Sequence, residues 1–187
     1  MKILIGLILA ALSLGARDAE QLQRDLDGIA RVATVMIDGD ICQRILTERA
    51  RQHMLHPDPR DQWSDADNYD VDDQAFITTK KTLIRLAQLA DYPVDVNLWM
   101  PIEGMPGRIH IVIRNRYEMS QFWPWGKLFQ ETPEPMLPVL REGKSRTVTG
   151  KNGYISVLAP VRNSLDEIVG LVEVVSRTPL DARENVK

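Results

Sequence analysis

The chain has 187 residues and a mass of 21.2 kDa, is 44% hydrophobic and 26% charged, and carries a formal charge of −3 with a pI of about 5.6. Those values belong to a globular chain and exclude wholesale disorder or a collagen-like repeat, and no basic stripe exists to neutralise a phosphate backbone, which argues against a nucleic-acid partner. Cys42 is the single cysteine, so an intramolecular disulfide framework and a multi-cysteine zinc site are excluded, and three histidines leave little room for metal chemistry.

Residues 1–16 form a separate object. Met1-Lys2 is a short positive start, the run from residue 3 to 14 is apolar except for Gly6 and Ser13, and Gly15-Ala16 supplies small residues. This is the pattern of a secretory signal peptide cut after Ala16. The run is shorter than the roughly 20 residues a membrane span needs. The expected location is therefore periplasmic or secreted, with an uncleaved N-terminal anchor facing the periplasm as the alternative.

Residues 17–56 read as a long N-terminal helix. Leu22, Leu26, Ile29, Ala33 and Met36 follow a 4-3-4-3 spacing, a narrow apolar seam. The seam either packs on a sheet or forms a homodimer through Leu22, Leu26, Ile29 and Met36. Asp38-Gly39-Asp40 interrupts it, and a glycine costs about 1 kcal/mol relative to alanine inside a helix, so a kink is expected there. The stripe resumes at Ile41, Ile45 and Leu46, which makes Cys42 a half-buried, inert thiol.

Residues 57–73 read as a loop. Pro57 and Pro59 break the helix, and Asp58, Asp61, Asp65, Asp67, Asp70, Asp72 and Asp73 crowd this short stretch. The aspartates lack the glycine turn and terminal glutamate of an EF-hand, so a solvated acidic loop is the better account. A second helix spans 72–89, with Phe76, Leu83, Leu86 and Ala90 on one face and Lys80, Lys81 and Arg85 on the wet side.

From Val94 the period changes to two. Val94, Val96, Leu98 and Met100 point one way and Asp95, Asn97 and Trp99 the other; a turn at 104–107 leads to the alternating run 109–114. Two such runs predict a hairpin whose apolar face packs on the helices. The opposite face, with Asp95, Asn97, Trp99, His110 and Arg114, is expected to line a pocket. An irregular crossover, 115–138, holds Tyr117, Phe122, Trp123 and Trp125. A short helix over 134–142 closes at Gly143, and strands at 145–149, 154–161 and 168–176 come after it, with turns at 151–153 and 163–166. Residues 178–187 are a polar tail.

This order, and the run Gly153-Tyr154-Ile155-Ser156-Val157-Leu158-Ala159-Pro160-Val161 leading to Asp166-Glu167-Ile168-Val169-Gly170-Leu171-Val172-Glu173-Val174, resembles the final strands of bacterial extracellular single Cache sensor domains, which are PAS-like. Ile37-Asp38-Gly39-Asp40 resembles a segment found early in such regions, without the histidine that often comes after it. The resemblance implies an α+β fold, a long N-terminal helix packed on a five-stranded antiparallel sheet, with residues 57–177 as the sensor core. It also implies a small-molecule receptor outside the cytoplasmic membrane whose ligand lies between sheet and crossover. The tyrosine-arginine-tryptophan-tyrosine plus aspartate signature of the amino-acid-binding double Cache group is absent, and no output region follows Lys187, so a separate membrane receptor is the expected partner.

The candidate ligand-binding residues are chosen by their chemistry. Arg114 or Lys127 would hold an anionic group such as a carboxylate, the arginine as a bidentate fork. Trp99, Tyr117 and Trp125 would supply an aromatic wall, and Asn97, Tyr154 and Ser156 directional hydrogen bonds. Glu173, inside an apolar strand, would need a buried partner such as an arginine. A ligand-free dimerisation or interaction module of an envelope complex is the alternative function. No cofactor and no metal ligand are assigned, and the chain does not read as an enzyme: it has no G-x-S-x-G, H-E-x-x-H, phosphate-binding glycine loop or C-x-x-C. Cys42 and His53 are eleven residues apart on what reads as one helix, about 16 Å of rise, too far for a nucleophile–base pair.

Overall fold

The computed structural model describes residues 19–56, 71–124, 127 and 129–178. The segment read as a signal peptide, most of the segment read as an acidic loop, Trp125 and residues 179–187 lie outside the described residues. No helix among the described residues is long and apolar enough to cross a membrane.

The expected long helix is three helices: α1 (Ala19–Met36), α2 (Gly39–Gln43) and α3 (Glu48–Leu55). The break falls at the Asp-Gly-Asp segment, and it is a full stop rather than a kink. Asp38 leaves the helical region, and its carboxylate accepts from the amides of Asp40 and Ile41, at 2.9 and 3.1 Å, capping α2. Gly39 then passes so close to the Arg162 carbonyl that a Cβ would collide with backbone. Thr47 caps α3, and Asp72 caps α4 (Asp73–Ala87) by accepting from the Ala75 amide at 2.7 Å. An amide-to-carbonyl bond from Asp72 to Ile45 and a bridge between Leu46 and Val71 tie the start of α4 to the end of α2.

The strands are β1 (Asp95–Pro101), β2 (Arg108–Ile113), β3 (Gln130–Glu131), β4 (Arg146–Thr149), β5 (Tyr154–Arg162) and β6 (Ile168–Arg177); a 3-10 turn (Glu134–Met136) leads into α5 (Leu137–Glu142). The fold is α+β. The sheet has six strands in the order β3-β2-β1-β6-β5-β4, every pair antiparallel. The sixth strand is β3, two residues within the segment read as irregular; a pair of residues carries no periodicity to detect.

Each face of the sheet has its own core. On the helix face Leu22, Leu26, Ile29 and Ala33 of α1 pack on β5 and β6, with Leu83 and Leu86 of α4 beside them. The seam continues inward to Ile37 rather than Met36, which is exposed. Leu22, Leu26 and Ile29 are therefore buried in their own chain and do not offer a dimer seam. The opposite face buries Trp99, Ile109, Ile111, Leu158 and Leu171 under Met136 and Val139.

One sidedness is corrected by register. Met100 pairs with His110 and Trp99 with Ile111, so His110 lies on the helix face and not beside Trp99. The register shifts between Leu98 and Trp99, where β2 has an extra residue, and Val112 and Ile113 both join the helix-face core.

Candidate functional site

The face expected to line a ligand pocket is covered by the chain's own crossover. Residues 115–123 are fastened to it by side chains that alternate along β1 and continue across β6 and β5. The Asp95 carboxylate accepts from the Tyr117 amide at 3.0 Å and the Met119 amide at 2.8 Å. The Asn97 amide donates to the Met119 carbonyl at 2.7 Å, and its oxygen accepts from the Asn115 amide at 3.1 Å. Asn97 stands opposite Glu173 on β6, and Glu173 is the hub of the face.

Glu173 is completely buried. It accepts from Trp99 Nε1 at 3.2 Å, Ser120 Oγ at 2.6 Å, the Gln121 amide at 3.0 Å and Ser156 Oγ at 2.8 Å. Its partners are thus neutral donors, not the arginine expected. Burial pushes its pKa above the ordinary 4.5, and the four donors oppose that rise. Asp95 is raised in the same way, again by burial and against two backbone donors. Ser120 Oγ also accepts from the amides of Phe122 and Trp123, so one hydroxyl organises the turn that Glu173 holds.

The eight candidate residues divide accordingly. Asn97, Trp99 and Ser156 come together, but as buried parts of this fastening. Arg114 stands at the end of β2 with its guanidinium 3.9 Å from the Trp123 ring centroid and Nη1 3.8 Å from Glu118 Oε1. Tyr117 is on the crossover and 47% exposed. Tyr154, half-buried at the start of β5, lies beneath the Arg177 guanidinium, 5.6 Å from its ring centroid. Lys127 is exposed, and Trp125 is outside the described residues. The seven that are described do not surround one open space.

Two of the cavities that lie elsewhere among the described residues have titratable groups in their walls. A cleft of about 310 Å³ between α4 and the end of β2 is lined by Phe76, Lys80, Ile111, Ile113, Arg114 and Glu118, among others. The half-buried Lys80 ammonium donates to the Arg114 carbonyl, and burial lowers its pKa, with Arg114 adding to the effect. A larger cavity, about 560 Å³, lies on the helix face beside α2 and α3 and reaches Cys42, Arg51, Met54, Met100 and His110. Burial pushes the Cys42 thiol up to about 12 and holds the His110 imidazole neutral, with a pKa of about 4. A protonated thiol is a poor nucleophile, and an imidazole that resists protonation is a poor base. Among the described residues no group of three histidine, cysteine, aspartate or glutamate side chains could hold a metal ion.

Comparison with models of known protein families and with curated proteins finds no match. The site is thus argued from its geometry. Sequence reasoning singles out Asn97, Trp99, Arg114 and Ser156 but misses the roles of Asp95, Ser120, Gln121, Lys80 and Glu118. Asp95 is legible, since it shares the β1 alternation with Asn97 and Trp99. Ser120 and Gln121 lie in an aperiodic stretch and carry no local signal.

Proposed function

We propose that the chain is a small-molecule-binding sensory domain of Cache type, exported to the periplasm, that signals through a separate partner. The observation that carries this reading is the fastening of residues 115–123. They are held to the sheet by side-chain hydrogen bonds to Asp95, Asn97 and Glu173 rather than by a strand ladder. A typical hydrogen bond contributes about 1 kcal/mol net. A ligand at 100 times its Kd supplies about 2.7 kcal/mol, enough to exchange two or three such bonds and far too little to open the sheet. A crossover held this way is a releasable element on a rigid frame. The junction of β1 with β6, which joins the hairpin to the three-stranded meander, supports the PAS-like reading.

A thermal-shift screen of small metabolites on the full chain, with hydrogen exchange on the hits, tests the proposal. The expected result is saturable stabilisation with altered exchange concentrated in 115–123. A screen in which no compound changes exchange there would overturn it. The second reading, a ligand-free interaction module, draws on one observation: Val32, Val35 and Met36 of α1 and Leu89 after α4 are exposed apolar side chains, Val35 82% so. A dimer mass for the wild-type chain that Val35→Lys converts to a monomer, together with an empty screen, would favour that reading instead.

A further inference from the structure

We infer that the edge strand β4 (Arg146–Thr149) is a docking site for an acidic, extended segment of a partner protein, which adds to the sheet as a further strand. The inference does not depend on the sensory reading, because it requires neither a ligand nor release of the crossover.

The main chain of β4 is open on one side. The strand pairs only with β5, in an unbroken register from Arg146 opposite Leu158 to Thr149 opposite Ile155. Just beyond it the Gly150 amide donates to the Tyr154 carbonyl at 2.8 Å. Bonded pairs alternate along an antiparallel ladder, so Val148 and Arg146 also turn their main-chain groups toward β5. The amides and carbonyls of Thr147 and Thr149 then point outward, and among the described residues no main-chain group bonds them there. An open ladder of this kind is a template for another strand. Farther along β5 the side that faces β4 reaches Pro160, which has no amide to donate, so the usable edge is β4 itself.

Charge selects what can pair there. The edge carries neither a bulge nor a proline, two common guards of an exposed strand. Its guard is positive charge: Lys144 and Lys151 bracket the strand, Arg146 opens it and Arg141 stands on the helix before it, all four exposed. Lys144 pairs with Glu142 at 3.0 Å and Arg146 with Glu134 at 3.6 Å, through exposed side chains where ion pairs are weak and readily exchanged. Four cations against two carboxylates leave this edge positive in a chain whose net charge is −3. Antiparallel pairing of two copies would bring Lys144 and Lys151 of the two chains together, and like charges across a strand pair repel. A strand with carboxylates at both ends meets both lysines instead, so the same charges reject a second copy and favour an acidic partner. Between the lysines, Thr147, Val148 and Thr149 are β-branched and suit β-branched residues opposite them.

The test is calorimetric titration of the full chain with a blocked peptide of alternating valine and threonine between paired aspartates, with hydrogen exchange on the complex. Two controls accompany it: the same peptide with lysines for aspartates, and the acidic peptide with alternate amides N-methylated. Saturable binding of the acidic peptide alone is expected, with exchange slowed at Thr147 and Thr149. Thr147→Pro removes an outward amide and leaves the ladder to β5, so it should weaken binding about tenfold with little change in the urea midpoint. Lys144→Glu combined with Lys151→Glu alters only exposed side chains and should reverse the preference toward the lysine peptide. No saturable binding of the acidic peptide below about 1 mM overturns the inference. So does equal binding of the N-methylated peptide, or binding that Thr147→Pro leaves unchanged. If Thr147→Pro unfolds the chain, the charge-reversed pair decides, and an unaltered preference overturns the inference. Adsorption to phosphatidylglycerol vesicles that charge reversal abolishes, without peptide binding, assigns the basic edge to a membrane and overturns it as well.

Discussion

Leu26 and Glu173 are both fully buried, on opposite sides of one sheet, and they hold their neighbours in different ways. Leu26 and its companions on α1 fill space against β5 and β6, and their contribution scales with apolar area and packing. Glu173 fastens the crossover through four directed donors, none of which tolerates much displacement. Substitution in packing of the first kind costs in proportion to the space it empties, while removal of the hub's acceptor leaves each abandoned donor buried and unpaired. The comparison teaches where motion belongs: the helix face is the frame, and the crossover face is the part that can let go locally.

The largest expected effect lies on the frame. Leu26→Ala should cost about 3–5 kcal/mol in urea unfolding, and exchange should rise throughout the molecule, since the cavity lies under a helix that spans two strands. Next is the pH response of the same face. His110 is held at about 4 against an ordinary 6.5, so the unfolded chain takes up its proton first. Its contribution is complete above 6.5 and is lost as pH falls toward 4, by about 3 kcal/mol. His110→Leu should flatten that slope in a series of urea melts.

The crossover face should respond with the opposite sign. Glu173 titrates above 4.5 when folded, so the folded chain keeps its proton longer than the unfolded one. That contribution is present below 4.5 and lost as pH rises through the folded value. Glu173→Gln should remove this dependence, cost about 2 kcal/mol, and raise exchange at 115–123 well beyond the global change. If its exchange rises uniformly instead, the two faces do not differ as described. The smallest effect is Ser156→Ala, about 1 kcal/mol, because Gln121 and Glu173 each lose one bond and keep others.

The strands and helices are legible in the sequence because their periods are strong. Val94, Val96, Leu98 and Met100 alternate cleanly, and the turns at Asn152-Gly153 and Asn163–Asp166 punctuate the last three strands. The break after Met36 is visible as a disturbed stripe. Its character is not, because it depends on Asp38 reaching two amides and on Gly39 meeting Arg162, a residue distant in sequence. The side taken by His110 escapes a sequence reading because a bulge between Leu98 and Trp99 resets the phase of β2 against β1, and single-strand alternation cannot show that. The buried carboxylate at Glu173 can be anticipated from its apolar strand. Its partners cannot, since Ser120 and Gln121 are brought to it by a loop without pattern. That the crossover itself covers this face is hidden for the same reason: the composition of one face says that polar groups need partners, and it does not say whether the partner is a ligand or the chain itself.

The Glu173 hub also constrains how this chain can change over time. Its four donors come from three separate stretches: Trp99 on β1, Ser120 and Gln121 on the crossover, and Ser156 on β5. No single substitution at position 173 can relieve all of them. Drift there is expected to be concerted, with the indole, both hydroxyls and the acid exchanged as a set or kept as a set. A distant descendant should therefore be recognisable by joint retention at 99, 120, 156 and 173, even where the helices that frame the sheet have diverged beyond comparison.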